Sequence, residues 1–296
     1  MAVTMMDGTP PPVAIGGLGG SGTRVFAEML RYAGVDIGTR LNRSLDNLWF
    51  TVLFKRAAWV GRRPEDEELS TAARLFCLAT TRGLAQRLEP EDATLIADLA
   101  ADLPPNGGWQ CGARAEHAAD LLASRRDRPP LSWGWKEPNT HVFLPALDRA
   151  LPGLRYIHVV RDGRDMAFSA NTWQTRHWAH LYGLPMTEDI PLPVRQLRYW
   201  LRANRAALDY GAQAMPGRFI VMPYEAFCAD PEPHWHRLLS LLGKPASPLP
   251  SDLAIQPTTI GRAGTHDMSL FDPADIAAVQ MLSETVAHCG ETEAVP

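Results

Sequence analysis

The 296-residue chain has only three lysines, Lys55, Lys136 and Lys244, among its 29 basic residues. Arginine carries the rest, so a lysine that persists inside a motif has a case for needing a compact, rotatable ammonium rather than a planar fork. Positive charge as a whole is also short. The 29 basic residues stand against 33 acidic ones, a formal charge of −4, which excludes a global field for holding nucleic acid or an anionic membrane surface. Any anion site must be local. Cysteine is sparse: Cys77, Cys111, Cys228 and Cys289 lie far apart with no C-x-x-C pair, so neither a zinc site nor a dithiol motif is written here and no metal is expected. They read as reduced, mostly structural thiols. No run approaches the 18 or so apolar residues of a membrane span, and the opening MAVTMMDGTPPP lacks a basic n-region and an apolar h-region. A cytoplasmic protein with a disordered tail over residues 1–12, and with neither membrane nor nucleic-acid partners, is the expectation.

What is present is an ordinary globular mix, 46% hydrophobic and 21% charged, against about 45–50% and about 25% for typical domains. A disordered or fibrous chain is excluded. Val13-Ala-Ile15 runs into the glycine cluster GGLGGSG at 16–22, and the TRVFAEMLRYAG that follows places Val25, Met29 and Leu30 at helical spacing. Strand, glycine loop and helix follow in turn. Residues 46–103 read as helical with Pro64 and Pro90 as punctuation, LPPNGG at 103–108 as a loop, and 113–126 as a further helix, which together make a helical cap over about 46–126. LSWGWKEP is a short strand stopped by Pro138, and LRYIHVV at 154–160 is the strongest strand in the chain. Helices at 195–215 and 233–242, a strand at 218–222 and a last helix at 273–288 complete the pattern. Strands alternating with helices predict an α/β fold, a parallel sheet flanked by helices on both faces, in a single domain over 13–296.

The glycine loop admits three readings. Gly17-x-Gly19-x-x-Gly22 fits the dinucleotide fingerprint, with Asp36 near the place of its ribose-binding acid, but Ala33-Gly34-Val35 is a poor strand to deliver that acid. The Walker A pattern fails because Thr23 stands where its lysine belongs. The third reading keeps what such loops share. Backbone N–H groups from Gly19 to Thr23 at a helix N-terminus form a nest for a phosphate, with the Ser21 and Thr23 hydroxyls as further donors.

Two more motifs bear on the choice. Arg161 ends the strongest strand in RDGRDMAFS, and Ser169 follows eight residues on, so both can reach one phosphate across a helix start. Upstream, Trp133-Gly-Trp135-Lys136-Glu137-Pro138 puts a lysine at a strand end between aromatics and proline. Taken alone, the first is more often a surface ion pair or a helix start and the second a solvated strand end.

In this order the segments resemble the sulfotransferases that use 3′-phosphoadenosine 5′-phosphosulfate (PAPS). Gly20-Ser21-Gly22-Thr23-Arg24 is similar to that family's loop for the 5′-phosphosulfate, Arg161 and Ser169 to its R-x7-S pair for the 3′-phosphate, and Lys136 in K-E-P to the lysine that touches the transferring group. Tyr224-Glu225-Ala226-Phe227, leading through Pro231 to Leu242-Gly243, is similar to its Y-E-D-L segment, so the resemblance spans about residues 13–243. It implies a P-loop-like sulfotransferase fold, PAPS as donor, no obligatory metal and a small hydroxylated acceptor. It further implies Gly19, Gly20, Ser21, Gly22, Thr23, Arg24, Arg161, Ser169, Tyr224 and Arg262 as donor-binding residues, with Lys136 and Asp46 catalytic. Two departures stand out. Gly20 occupies the place of the family's loop cation, a charge that Arg24 in SGTR is expected to supply from the first helical turn, and Pro138 occupies the place of the cytosolic type's catalytic histidine.

A base must accept the acceptor's proton. Where the family carries K-x-P, the base is typically a carboxylate after the first helix, which here means Asp46, with Asp36 behind it and Glu137 and His141 as fallbacks. Asp46 reads equally as a helix cap before LWFTVLF. Trp173, Trp178, His177 and His180 are candidates for lining an acceptor pocket or for plain core. The alternatives to transfer are an NAD(P)-dependent oxidoreductase using the glycine fingerprint and a nucleotide-binding protein that has lost transfer along with the loop cation.

Overall fold

The computed structural model describes residues 9–101, 103, 115–185, 187–255, 257 and 259–291. The expected loop at 104–108, Cys111, the first residues of the helix expected from Ala113 and residues 1–8 of the expected tail lie outside the described residues. In the rest of that tail Thr9 is buried, and the Pro10 carbonyl accepts a hydrogen bond from Trp133 Nε1 at 2.8 Å.

Strands β1 (Val13–Gly17), β2 (Gly134–Lys136), β3 (Arg155–Val160) and β4 (Phe219–Pro223) form a parallel sheet in the order β2-β1-β3-β4, flanked by helices. The fold is α/β. Every residue of β1 and all but the first of β3 are buried, as expected for parallel strands covered on both faces. β3 pairs with β4 from Tyr156 opposite Phe219 to Val160 opposite Pro223. His158 is fully buried in β3 and satisfied there, Nε2 to Asn204 Oδ1 at 2.9 Å and Nδ1 to the Tyr156 hydroxyl at 3.3 Å. Helix α1 (Thr23–Tyr32) follows β1 through the glycine loop.

The chain divides into two compact units, one of Met1–Ala14 with Leu30–Leu154 and one of Ile15–Met29 with Arg155–Pro296. In the first, α2 (Leu48–Phe54), α3 (Ala57–Gly61), α4 (Asp66–Thr81), α5 (Pro90–Ala101) and α6 (Ala115–Leu122) precede β2, and α7 (Leu144–Ala150) follows it. Their shared core is aromatic. Phe50 stacks on Phe54 and Trp135, with centroids 4.5 and 5.8 Å apart, and Phe76 meets Trp135 edge-on at 5.1 Å. Trp135 lies fully buried beside Lys136, so these contacts, each worth about 0.5–1.5 kcal/mol beyond area burial, hold the strand end that carries the lysine.

The second unit holds α8 (Gly163–Ala167), α9 (Trp173–Trp178), α10 (Leu192–Ala214), α11 (Tyr224–Ala229), α12 (Pro231–Leu241) and α13 (Pro273–Glu291). Helices α10 and α12 start two or three residues before the sequence reading. Pro193 and Pro231 sit in their first turns, where a missing N–H costs nothing, rather than outside them. Among the described residues no helix is long and apolar enough to cross a membrane.

Candidate active site

The loop between β1 and α1 turns through two glycines in the left-handed region, Gly20 at φ 101° and Gly22 at φ 87°. At Gly22 a Cβ would also fall 2.2 Å from the Tyr224 ring, so that residue needs both the conformation and the space. The loop is already braced. Ser21 N–H donates to Leu18 O at 3.0 Å, and Gly19 N–H donates to Gln174 Oε1 at 2.7 Å. The Ser21 hydroxyl is buried with no hydrogen-bond partner among the described residues. A donor left this way in a structured loop costs about 1–3 kcal/mol unless something accepts from it, so the loop fits an oxyanion.

Arg161, at the end of β3, brings the R-x7-S pair to that loop. Its Nη1 donates to Gly20 O at 3.3 Å, and the Ser169 hydroxyl lies 3.4 Å from where a Gly20 Cβ would be. The guanidinium also stands 5.6 Å over the Tyr224 ring. Much of its donor capacity is spent: Nη1 on Thr259 Oγ1 at 2.7 Å, Nη2 on the Thr259 carbonyl and on Asp165 Oδ2 at 3.2 Å. Nε is buried without a hydrogen bond among the described residues, with Glu225 Oε1 at 3.8 Å. Asp165, 3% exposed, does more than pair with Arg161. Its two oxygens accept the Gly261 and Ala263 N–H groups, both at 2.8 Å, and so fasten the loop that carries Arg262, whose Nη1 reaches Phe168 O at 3.4 Å.

The lysine cluster is built differently. Lys136, 2% exposed at the end of β2, donates its ammonium to the Asp46 carboxylate and to Ser44 O at 2.9 Å. The 42–46 loop that presents both acceptors is tight. Leu45 is held at φ 62°, Asn42 side-chain atoms bond the Ser44 and Asp46 N–H groups and the Asp46 carboxylate, and Asn47 N–H donates to Lys136 O at 2.8 Å. The cap of α2 is Asn47, accepting from Trp49 and Phe50 N–H at 3.1 Å, not Asp46. That leaves the Asp46 carboxylate to the lysine.

These motifs match the sulfotransferase family model over residues 11–248. The chain belongs to the sulfotransferase family. Among solved structures it is similar to a sulfotransferase from Alicyclobacillus acidocaldarius, at 14% identity over 93% of this chain and 96% of that one with a TM-score of 0.47. It is likewise similar to the sulfotransferase domain of the Synechococcus PCC 7002 olefin synthase, at 16% identity over 97% and 98% with a TM-score of 0.42, and to a sulfotransferase from Mycobacterium avium, at 15% over 95% and 77% with a TM-score of 0.43. No curated protein matches the chain. Sulfuryl transfer is the chemistry of the family, which displaces the oxidoreductase reading of the glycine loop. Asp36, the acid that reading needed, accepts from Arg126 at 2.6 Å and from Gly38 N–H at 2.8 Å.

In the sulfotransferase the fallback bases are otherwise engaged. Glu137 caps the short helix after β2, taking Asn139 N–H at 2.6 Å and Asn139 Nδ2 at 2.8 Å, with Lys55 at 4.0 Å; burial pushes its carboxyl up, against the pull of Lys55. The His141 Nδ1 is bonded to Pro138 O at 2.8 Å. Arg24 is exposed on the first turn of α1 and makes no ion pair among the described residues. Burial also drives the Tyr224 hydroxyl up to about 12, so it stays a neutral donor. Sequence reasoning missed Gln174, Asp165 and Thr259. Only Asp165 left a signal, as the second acid of R-D-G-R-D.

Proposed function

We propose that this sulfotransferase takes its sulfuryl group from PAPS and passes it to a hydroxyl of a small-molecule acceptor. The observation that carries the reading is the meeting of Arg161 and Ser169 with Gly20, residues of two motifs 141 positions apart, beside the unpartnered Ser21 hydroxyl. Bound PAPS would supply the sulfuryl group and leave as adenosine 3′,5′-bisphosphate. Gly19 to Thr23 hold the 5′-phosphosulfate, Ser21 and Thr23 adding hydroxyls to the loop's N–H groups. Arg161 and Ser169 take the 3′-phosphate, Tyr224 flanks them, and Arg262 and Arg24 supply further positive charge.

Lys136 donates to the oxygen on which charge develops as the S–O bond to the donor breaks, and Asp46 takes the acceptor's proton as the new O–S bond forms. The ion pair couples the two events. Once Asp46 is protonated it no longer holds the ammonium, which is then free to follow the leaving oxygen.

Adenosine 3′,5′-bisphosphate titrated into the protein should bind, and PAPS incubated with a panel of hydroxylated compounds should release it. Binding without release on any acceptor would mark a nucleotide-binding protein without transfer. Absence of binding, or binding of NAD(P) instead, would overturn the reading.

A further inference from the structure

A 310 Å³ pocket in the second unit lies between α9 and the start of α10. That volume is at the lower end of the roughly 300–1,000 Å³ of small-molecule sites. Arg176, Arg195 and Arg198 line it together with His177, and Glu188 is the single acid in its wall. Leu184, Pro185 and Ile190 make the rest largely apolar. Arginine is this chain's default basic residue, so its presence alone decides nothing. The pairing does. Arg198 is spent on Asp275 at 2.8 Å and His177 Nδ1 on Trp173 O at 2.8 Å, whereas the Arg195 and Arg176 side chains have no polar partner among the described residues. Arg195 Nε is moreover a buried donor with no hydrogen bond among the described residues.

We infer that this pocket binds the anionic end of a small hydroxylated organic acid, a carboxylate or a phosphate monoester, and that this molecule is the sulfuryl acceptor. Two arginine forks without acceptors suit an oxyanion, which they bind by charge-assisted hydrogen bonds, and the apolar wall suits a short carbon skeleton. The link to the reaction is Thr175. It lines this pocket and also the crevice formed by Gly19, Asn171 and Gln174 at the glycine loop. The role as acceptor site rests on the transfer reading above; the anion site itself does not.

The test is calorimetric titration of the full chain, saturated with adenosine 3′,5′-bisphosphate so that the glycine loop is blocked. The probes are glycerol 3-phosphate, 3-hydroxybutyrate and, as the neutral control, glycerol. At least one anion should bind while glycerol does not, and comparing the two anions separates phosphate from carboxylate. Arg195→Gln should weaken that binding tenfold or more while leaving adenosine 3′,5′-bisphosphate affinity intact, which shows that the variant is folded. If Arg195→Gln does not fold, Arg176→Gln, on an exposed residue, should weaken the anion threefold or more. Neither anion binding, glycerol binding as well as the anions, or binding indifferent to both substitutions would overturn the proposal. Failure of the wild type to bind the nucleotide would count against the donor reading alone: the anions are then titrated into the free chain, folding is checked by circular dichroism, and the loss on Arg195→Gln still reports on this pocket.

Discussion

In the glycine-loop cluster the groups proposed to hold the donor's phosphates are many and mostly fixed by other parts of the fold: Gly19 by Gln174, Arg161 by Thr259 and Asp165, the Arg262 loop by Asp165 again. The lysine cluster has one ammonium, one carboxylate and one carbonyl, at the end of a strand whose neighbouring Trp135 is buried against Phe76. Distributed binding loses a fraction when one member is removed. A lone transition-state donor loses nearly everything. The two clusters therefore predict opposite mutational signatures, affinity in the first and turnover in the second.

The largest effect is expected at Lys136. Lys136→Arg keeps the charge yet replaces a rotatable point donor, already held by Asp46 and the Ser44 carbonyl, with a planar fork too large for the same place. kcat should fall by about 10²–10³, the usual loss for one transition-state donor, with adenosine 3′,5′-bisphosphate affinity nearly unchanged. A variant with near-normal kcat would reduce the lysine to a strand end and dissolve the contrast.

Arg161→Ala should do the reverse. Loss of a charge-assisted bond of about 1.5–3 kcal/mol should weaken PAPS by about 10- to 150-fold and barely alter adenosine 5′-phosphosulfate, which lacks the 3′-phosphate. Equal losses for both donors would mean that Arg161 acts through Thr259 and the loop rather than on the phosphate. Asp165→Asn sharpens the point. Asn keeps one acceptor for Gly261 or Ala263 but not both, so the variant should weaken PAPS by less than Arg161→Ala does, with kcat preserved.

Gly20 tests whether the missing loop cation can simply be restored. Its φ of 101° lies where an L side chain is strained, at about 1–2 kcal/mol, while the new Cβ would meet Ser169 Oγ at 3.4 Å, an ordinary contact. Gly20→Lys should lower Tm by a few degrees and gain no donor affinity. Tighter PAPS binding at unchanged Tm would show that the loop tolerates the family's ordinary cation.

The legible parts of this molecule were local. LRYIHVV is a strand because β-branched and aromatic residues dominate it, and SGT opens a helix because a hydroxyl residue and a glycine turn lead there into apolar residues at helical spacing. The R-x7-S and K-E-P spacings were readable because each sits on one strand end. What could not be read are pairings made across long sequence separations, such as Gln174 taking Gly19 N–H from 155 residues away or Asp165 fastening Ala263 from 98. Packing decides those, not spacing. Asn47, rather than Asp46, capping α2 was within reach of sequence only as a one-residue ambiguity, since either side chain can cap.

The smallest expected effect is on pH dependence, and it separates the supports of the two clusters. Glu137 is 1% exposed behind Lys136, and burial raises its carboxyl above the ordinary 4.5, opposed by Lys55 and reinforced by the nearby Asp46 charge. A carboxyl whose pKa is higher in the folded state binds its proton more tightly there than in the unfolded chain. Stability should then fall as pH rises from about 4.5 through the raised value and level off above it. Glu137→Gln removes that titration while keeping one oxygen for Asn139 N–H, at the cost of the second bond and of the Lys55 partner. Urea midpoints measured from pH 4.5 upward should show the variant gaining on the wild type as pH rises, even where it starts out less stable. Parallel curves would mean that Glu137 is held ionised throughout by Lys55, as half of an ion pair rather than as a buried acid.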